Sequence, residues 1–182
     1  MPGQVCVGVG VVVVRGDGAV LLGQRKGAHG AGTWALPGGW LEKNEGFMAC
    51  ALRELAEETG LAAIDVRGGA VLPVVANNVM DKGVHSVTVF VRLDLQSDEA
   101  AAKVCVMEPD KCFAWLWCRP DEPTPRPMFP PLEHLIASDY WHEEIINRGR
   151  RGSLLADLPL LLTGAALGVA AMAVVGARGR GR

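Results

Sequence analysis

Three glutamates, Glu54, Glu57 and Glu58, crowd into the stretch RELAEETGL. On a helix of 3.6 residues per turn, Glu54 and Glu58 stand at i and i+4 and share a face. Glu57 lies three residues from Glu54, so the three carboxylates fall within an arc of roughly 100°. Like charges at this spacing cost a helix roughly a few tenths of a kcal/mol. A solvated helix would usually interleave lysines to relieve that repulsion. Here only Arg53 is near, placed at i,i+4 to pair with Glu57. Two chemistries fit the pattern. One is a charged surface helix. The other is a site for a hard divalent cation, Mg²⁺ or Mn²⁺, which takes oxygen ligands and needs only one or two protein carboxylates. Spacing alone leaves the two open.

The elements that must position this cluster are legible from periodicity. From about Gly46 to Thr59, Phe47, Met48, Ala51 and Leu55 form one apolar stripe, and Gly60 stands where a helix-ending glycine belongs. Upstream, residues 4–14 (QVCVGVGVVVV) read as a buried strand, Asp17-Gly18 as a tight turn and residues 19–25 as a second strand, making a hairpin. A glycine-rich loop follows (26–34), closed by a turn at Leu36-Pro37-Gly38-Gly39. Residues 63–77 and 84–95 are β-rich with a turn between them, 96–110 read as a polar loop, and 112–118 (CFAWLWC) as a final strand. The prolines between Pro120 and Pro131 require extended chain, and a short helix over 131–140 follows. This order predicts an α/β or α+β sandwich around one mixed sheet.

Composition narrows the function classes. The 182 residues carry a formal net charge of −2, which argues against a general nucleic-acid binder. The five cysteines are irregularly spaced with no CxxC pair, as expected of buried thiols in a reducing compartment. No basic region precedes an apolar core at the N-terminus, so no secretory signal is expected. The tail differs in kind. A basic linker over 142–157 leads to an uncharged stretch, 158–177, long enough to cross a bilayer; a basic segment, 178–182, follows. Gly164 and Gly168 add a GxxxG. The stretch reads either as a membrane tail anchor or as a loosely structured extension.

The full pattern around the glutamates goes further. Gly39, Glu45, Arg53-Glu54-Leu55, Glu57-Glu58 and Gly60-Leu61 stand at the spacing of the Nudix box at every defined position. The chain thus resembles a Nudix hydrolase, with residues 1–141 as the domain. The resemblance extends to VLLGQRKGAHGAGTWALPGGWLE, to HSVTV at 85–89 and to MEPDKCFAWLW at 107–117, which are similar to small 8-oxo-dGTP and nucleotide diphosphatases of the plant cytosolic type. It implies an α/β/α sandwich with a central mixed sheet and a loop-helix-loop catalytic motif. It also implies Mg²⁺ as cofactor, with Mn²⁺ able to substitute. Glu54 and Glu58 would be the principal ligands, Glu57 a further ligand or the base, and Gly39 a backbone ligand. Arg53 and Glu45 would orient the cluster.

Candidate substrate contacts are Arg25 and Lys26 at a strand end, Gly38 in the glycine turn, Trp34 and Phe129 flanking loops, and Asn77 and His85 at strand ends. Three departures from the relatives stand out. Asn44 replaces the glycine before the first box glutamate. Ser86 replaces a tyrosine, and Pro130 an aromatic residue, at positions that shape the relatives' base pocket. The implied activity is hydrolysis of a diphosphate bond in nucleoside triphosphates or oxidised (d)NTPs, giving a nucleoside monophosphate and pyrophosphate. The alternatives are an isoprenyl (geranyl) diphosphate hydrolase and a membrane-tethered module that binds nucleotides without cleaving them. The expected partner is a small molecule and not a nucleic-acid polymer. The expected location is cytoplasmic, with the tail as a membrane tether and a homodimer as the assembly suggested by relatives.

Overall fold

The valine run becomes the centre of the molecule. In the computed structural model, which describes residues 4–27, 29–79 and 85–146, β1 (Val5–Val14) lies within a seven-stranded mixed sheet. One edge of β1 pairs in parallel with β6 (His85–Leu95) over its whole length, from Val5 opposite His85 to Val14 opposite Asp94. Its other edge is divided between β4 (Gly38–Trp40) and the start of β2 (Val20–Arg25), both antiparallel. β2 also carries β3 (Trp34–Ala35) and β7 (Cys112–Cys118), and β5 (Val66–Val79) closes the far side against β6.

At its centre the sheet is covered on both faces, which is why β1 reads as a continuous apolar run rather than an alternation. Val9, Val11 and Val13 point to one face, where they pack with Cys50, Ala51 and Leu55 of α1 (Phe47–Thr59) and Ala100 of α2 (Asp98–Ala102). Val12 and Val14 point to the other, against Leu132 and Leu135 of α3 (Pro130–Ile136) and the π-helical turn Trp141–Ile146. Helices on both faces make the expected α/β/α sandwich.

The sequence expectations differ from this structure at three places. The turn at Gly38-Gly39 is itself a strand, β4, because the glycines admit close approach to β1. Residues 96–110 contain α2, whose start is capped by the Ser97 side chain accepting from the Ala100 amide. The terminal helix is shorter than 131–140 and passes into the π-helical turn. Among the described residues, no helix is long and apolar enough to cross a membrane. The stretch 158–177 lies outside the described residues.

Candidate active site

Helix α1 brings its carboxylates to the diglycine strand. Its apolar stripe docks on the sheet, and Gly60 ends it in the left-handed conformation, with φ 76° and its amide on the Ala56 carbonyl. Glu58 then accepts a hydrogen bond from the Gly38 amide at 2.9 Å. The Glu54 carboxylate fills the space where a side chain at Gly39 would lie, and a side chain at Gly38 would collide with the Val9 carbonyl. Both glycines are required by close approach. The preceding loop turns at Asn44, at φ 64°, a conformation asparagine adopts more readily than most residues, so the replacement of the usual glycine is accommodated.

Arg53 organises the cluster. Its Nε and Nη2 donate to the two oxygens of Glu45 at 2.8 and 2.9 Å. Its Nη1 donates to Glu54 at 2.7 Å and, more weakly, to Glu57 at 3.3 Å, and Nη2 also reaches the Trp40 carbonyl at 3.1 Å. Bidentate pairing of this kind fixes orientation as well as charge. The guanidinium hydrogen bonds hold the Glu45 carboxyl down at about 2. The other two members of the cluster move the opposite way. Burial raises the Glu54 carboxyl despite Arg53, and burial with the neighbouring Glu54 and Glu108 charges pushes Glu58 up to about 7. Glu57 is turned outward, with its side chain 54 % exposed against 12 % for Glu54.

A second loop closes over the end of α1. The Glu58 carbonyl accepts from the Met107 amide and the Trp115 indole, and the Thr59 carbonyl accepts from the Cys105 amide. The loop is also tied to β2, since the Lys26 amide donates to the Lys111 carbonyl at 2.7 Å and Cys112 lies opposite Arg25. Glu108 and Lys111 arrive beside the glutamates in this way, and neither was singled out from the sequence.

On the other side of Gly38 and Gly39 opens a cavity of about 330 Å³. Arg25 lines it, and burial lowers its pKa from the ordinary arginine value. Its Nε donates to the His29 carbonyl at 3.0 Å, its guanidinium stacks 4.4 Å from the Phe129 ring centre, and the Glu58 charge acts on it. The walls include Leu36, Phe90 and Leu132, the rim carries Trp40, and Ser86 and Thr88 add polar groups. Buried Asn78 donates to Thr88 Oγ1 at 3.2 Å, fixing that hydroxyl from behind.

The expected substrate contacts thus divide. Arg25, Gly38 and Phe129 line the cavity together with Gly39. Trp34 packs against the α3-side core and holds Phe129 through its backbone, accepting from the Phe129 amide. Lys26 donates to the Pro109 carbonyl and lies over the Phe113 ring. Asn77 and His85 bond to each other at 2.7 Å, away from the cavity lining. Gly8 and Gly10, also lining residues, were hidden in the valine run. Their only signal is that both glycines fall on the same face of a strand, where a cavity needs missing side chains.

A divalent cation fits the donor set. Among the described residues, no three His, Cys, Asp or Glu side chains form a closed metal shell. Mg²⁺ does not need one, since it is held by one or two carboxylates while water and phosphate complete the octahedron. Glu54 and Glu58, half-buried, repelling one another and raised in pKa, are a pair that a cation would relieve.

A mixed sheet presenting a carboxylate helix, a diglycine strand and a cation-lined cavity defines an α/β domain suited to a phosphorylated ligand. The NUDIX domain family matches residues 5–138, and the chain belongs to that family. It is similar to a MutT NUDIX hydrolase from Burkholderia pseudomallei, at 30% identity and a TM-score of 0.63, over 75% of this chain and 100% of that one. Nudix hydrolase 25 of Arabidopsis thaliana is 28% identical over 128 residues, 63% of this chain and 72% of the relative. An RNA pyrophosphohydrolase of Roseobacter denitrificans is 46% identical over 61 residues, 34% of this chain. The chain spans only 36% of the length of that relative.

Proposed function

We propose that the chain is a Mg²⁺-dependent pyrophosphohydrolase of nucleoside triphosphates, oxidised (d)NTPs such as 8-oxo-dGTP included, releasing a nucleoside monophosphate and pyrophosphate. The observation that carries this reading is the position of Arg25, stacked on Phe129 inside the cavity and within the field of Glu58. A ligand with a ring in the cavity must pass its phosphates between that cation and the glutamates. Glu54 and Glu58 would hold the cation, Mg²⁺ or in its place Mn²⁺, which when bound would supply neutralisation of phosphate oxygens and a lowered pKa for water. Arg25 binds and orients the phosphates. The exposed Glu57 carboxylate takes the proton of the attacking water. Arg53 and Glu45 keep Glu54 aimed at the site.

The apolar cavity walls also favour a second ligand, an isoprenyl diphosphate. The Ser86 and Thr88 hydroxyls, with Asn78 fixing Thr88, favour the polar edge of a base instead. Retention of Glu45, Glu54, Glu57 and Glu58 supports cleavage over binding alone. The full chain with Mg²⁺, offered canonical dNTPs, 8-oxo-dGTP, 5′-triphosphorylated RNA and geranyl diphosphate, tests the reading. The highest kcat/KM is expected on a nucleoside triphosphate, with activity lost in EDTA. Preference for geranyl diphosphate or an RNA end, or hydrolysis that survives EDTA, would overturn it.

A further inference from the structure

One cation near the glutamates has no part in the mechanism above. Lys111 sits in the loop that closes over α1, its backbone locked to the end of β2 that carries Arg25. Its Nζ pairs with Glu108 at 2.7 Å while the side chain stays 69 % exposed. The same loop reaches the glutamate end of α1, where the Met107 amide donates to the Glu58 carbonyl at 3.1 Å. Arg25 lines the cavity and Lys111 does not. One cation thus lies inside the cavity lining and the other outside it, both at the same end of β2. Neighbouring Lys26 is already engaged with Pro109 and Phe113.

We propose that Lys111 binds the outer phosphate of a triphosphate ligand and so makes the site prefer three phosphates to two; this rests on the reading of the site given above. An exposed lysine–carboxylate pair contributes little to stability, so the ammonium leaves Glu108 at small cost when a phosphate arrives. A phosphate accepts a stronger, charge-assisted bond in exchange. A surface lysine occupied only by Glu108 would show no dependence on phosphate number.

The test is calorimetric binding of α,β-methylene-dGTP and α,β-methylene-dGDP to the full chain with Mg²⁺, in the wild type, Lys111→Met and Lys111→Arg. Lys111→Met should weaken the triphosphate analogue about tenfold and the diphosphate analogue less than about twofold, with Lys111→Arg close to wild type. Thermal melts confirm that the exposed substitution leaves the fold intact. Equal weakening of both analogues, no weakening of either, or no binding of either by the wild type overturns the proposal. Because neither analogue is cleaved at the α–β bond, the result stands apart from the substrate panel. A chain that hydrolyses nothing refutes the pyrophosphohydrolase reading, and these affinities still decide Lys111.

Discussion

Arg53 and Arg25 carry the same charge at the two ends of one site and are held in opposite ways. Arg53 is saturated by carboxylates. Glu45 takes it in two bonds, Glu54 and Glu57 take a third and a fourth, and its pKa is raised above the ordinary value. Arg25 is half-buried against an aromatic ring with a backbone carbonyl as its hydrogen-bond acceptor, and its pKa is lowered. The first charge is consumed in building the site. The second is kept under-neutralised, at a cost in desolvation, which is how a protein prepares a place for an anion. On the proposed function, stability and ligand binding thus fall to different arginines.

The comparison can be broken at several points. The largest effect is expected from Glu58→Gln, which removes the carboxylate that the Gly38 amide holds in place: kcat should fall about a thousandfold, read by steady-state pyrophosphate-release kinetics. Arg53→Lys should lower kcat/KM by about ten- to a hundredfold and lower Tm, because an ammonium cannot reproduce the fork to Glu45. Arg25→Met should raise KM about tenfold and yet leave Tm within about two degrees of wild type or above it, since the substitution relieves a buried charge. If Arg25→Met also loses stability as Arg53→Lys does, the two arginines are not divided as described.

The smallest effect is in pH. The folded Glu58 carboxyl, at about 7, lies above its unfolded value of 4.5, so stability of metal-free protein should decline as pH rises from about 4.5 to 7. Glu45, at about 2, works the other way: its contribution is present above pH 4.5 and is lost as pH falls towards 2. Thermal melts in EDTA should therefore peak in mildly acidic buffer. Glu58→Gln should flatten most of the decline towards neutrality, the raised Glu54 carboxyl accounting for the remainder, and added Mg²⁺ should reverse it.

The glutamate end of the site was readable because it is local. Glu45, Arg53, Glu54, Glu57 and Glu58 lie on one helix and the loop before it, so helical periodicity places them without knowledge of the fold. The long strands and α1 were readable for the same reason. The cavity end was readable only in part. Arg25, Gly38, Ser86 and Phe129 stand out by residue type or motif, but Gly8, Gly10 and Thr88 do not, because only the parallel pairing of β1 with β6 brings Gly8 beside Thr88. Trp34, Asn77 and His85 show the limit from the other side. Each has the right chemistry near the right loop, but strand direction and register place it away from the cavity. Lys111 was unreadable because its position depends on backbone bonds from the 105–112 loop to two distant elements.

The Gly38-Gly39 peptide has consequences for how this protein can diverge. The Val9 carbonyl stands where a side chain at Gly38 would go, and the Glu54 carboxylate where one at Gly39 would go. A side chain at either position would have to displace one of these groups. The next residue, Trp40, is 51 % exposed and faces the cavity, and Gly8 has ordinary van der Waals room for a Cβ. A lineage, or a directed-evolution library, can therefore search ligand shape at Trp40, Gly8, Ser86 and Phe129 while the charge cluster stays constant. The tightly packed and the open parts of the site meet at the Gly39–Trp40 peptide bond.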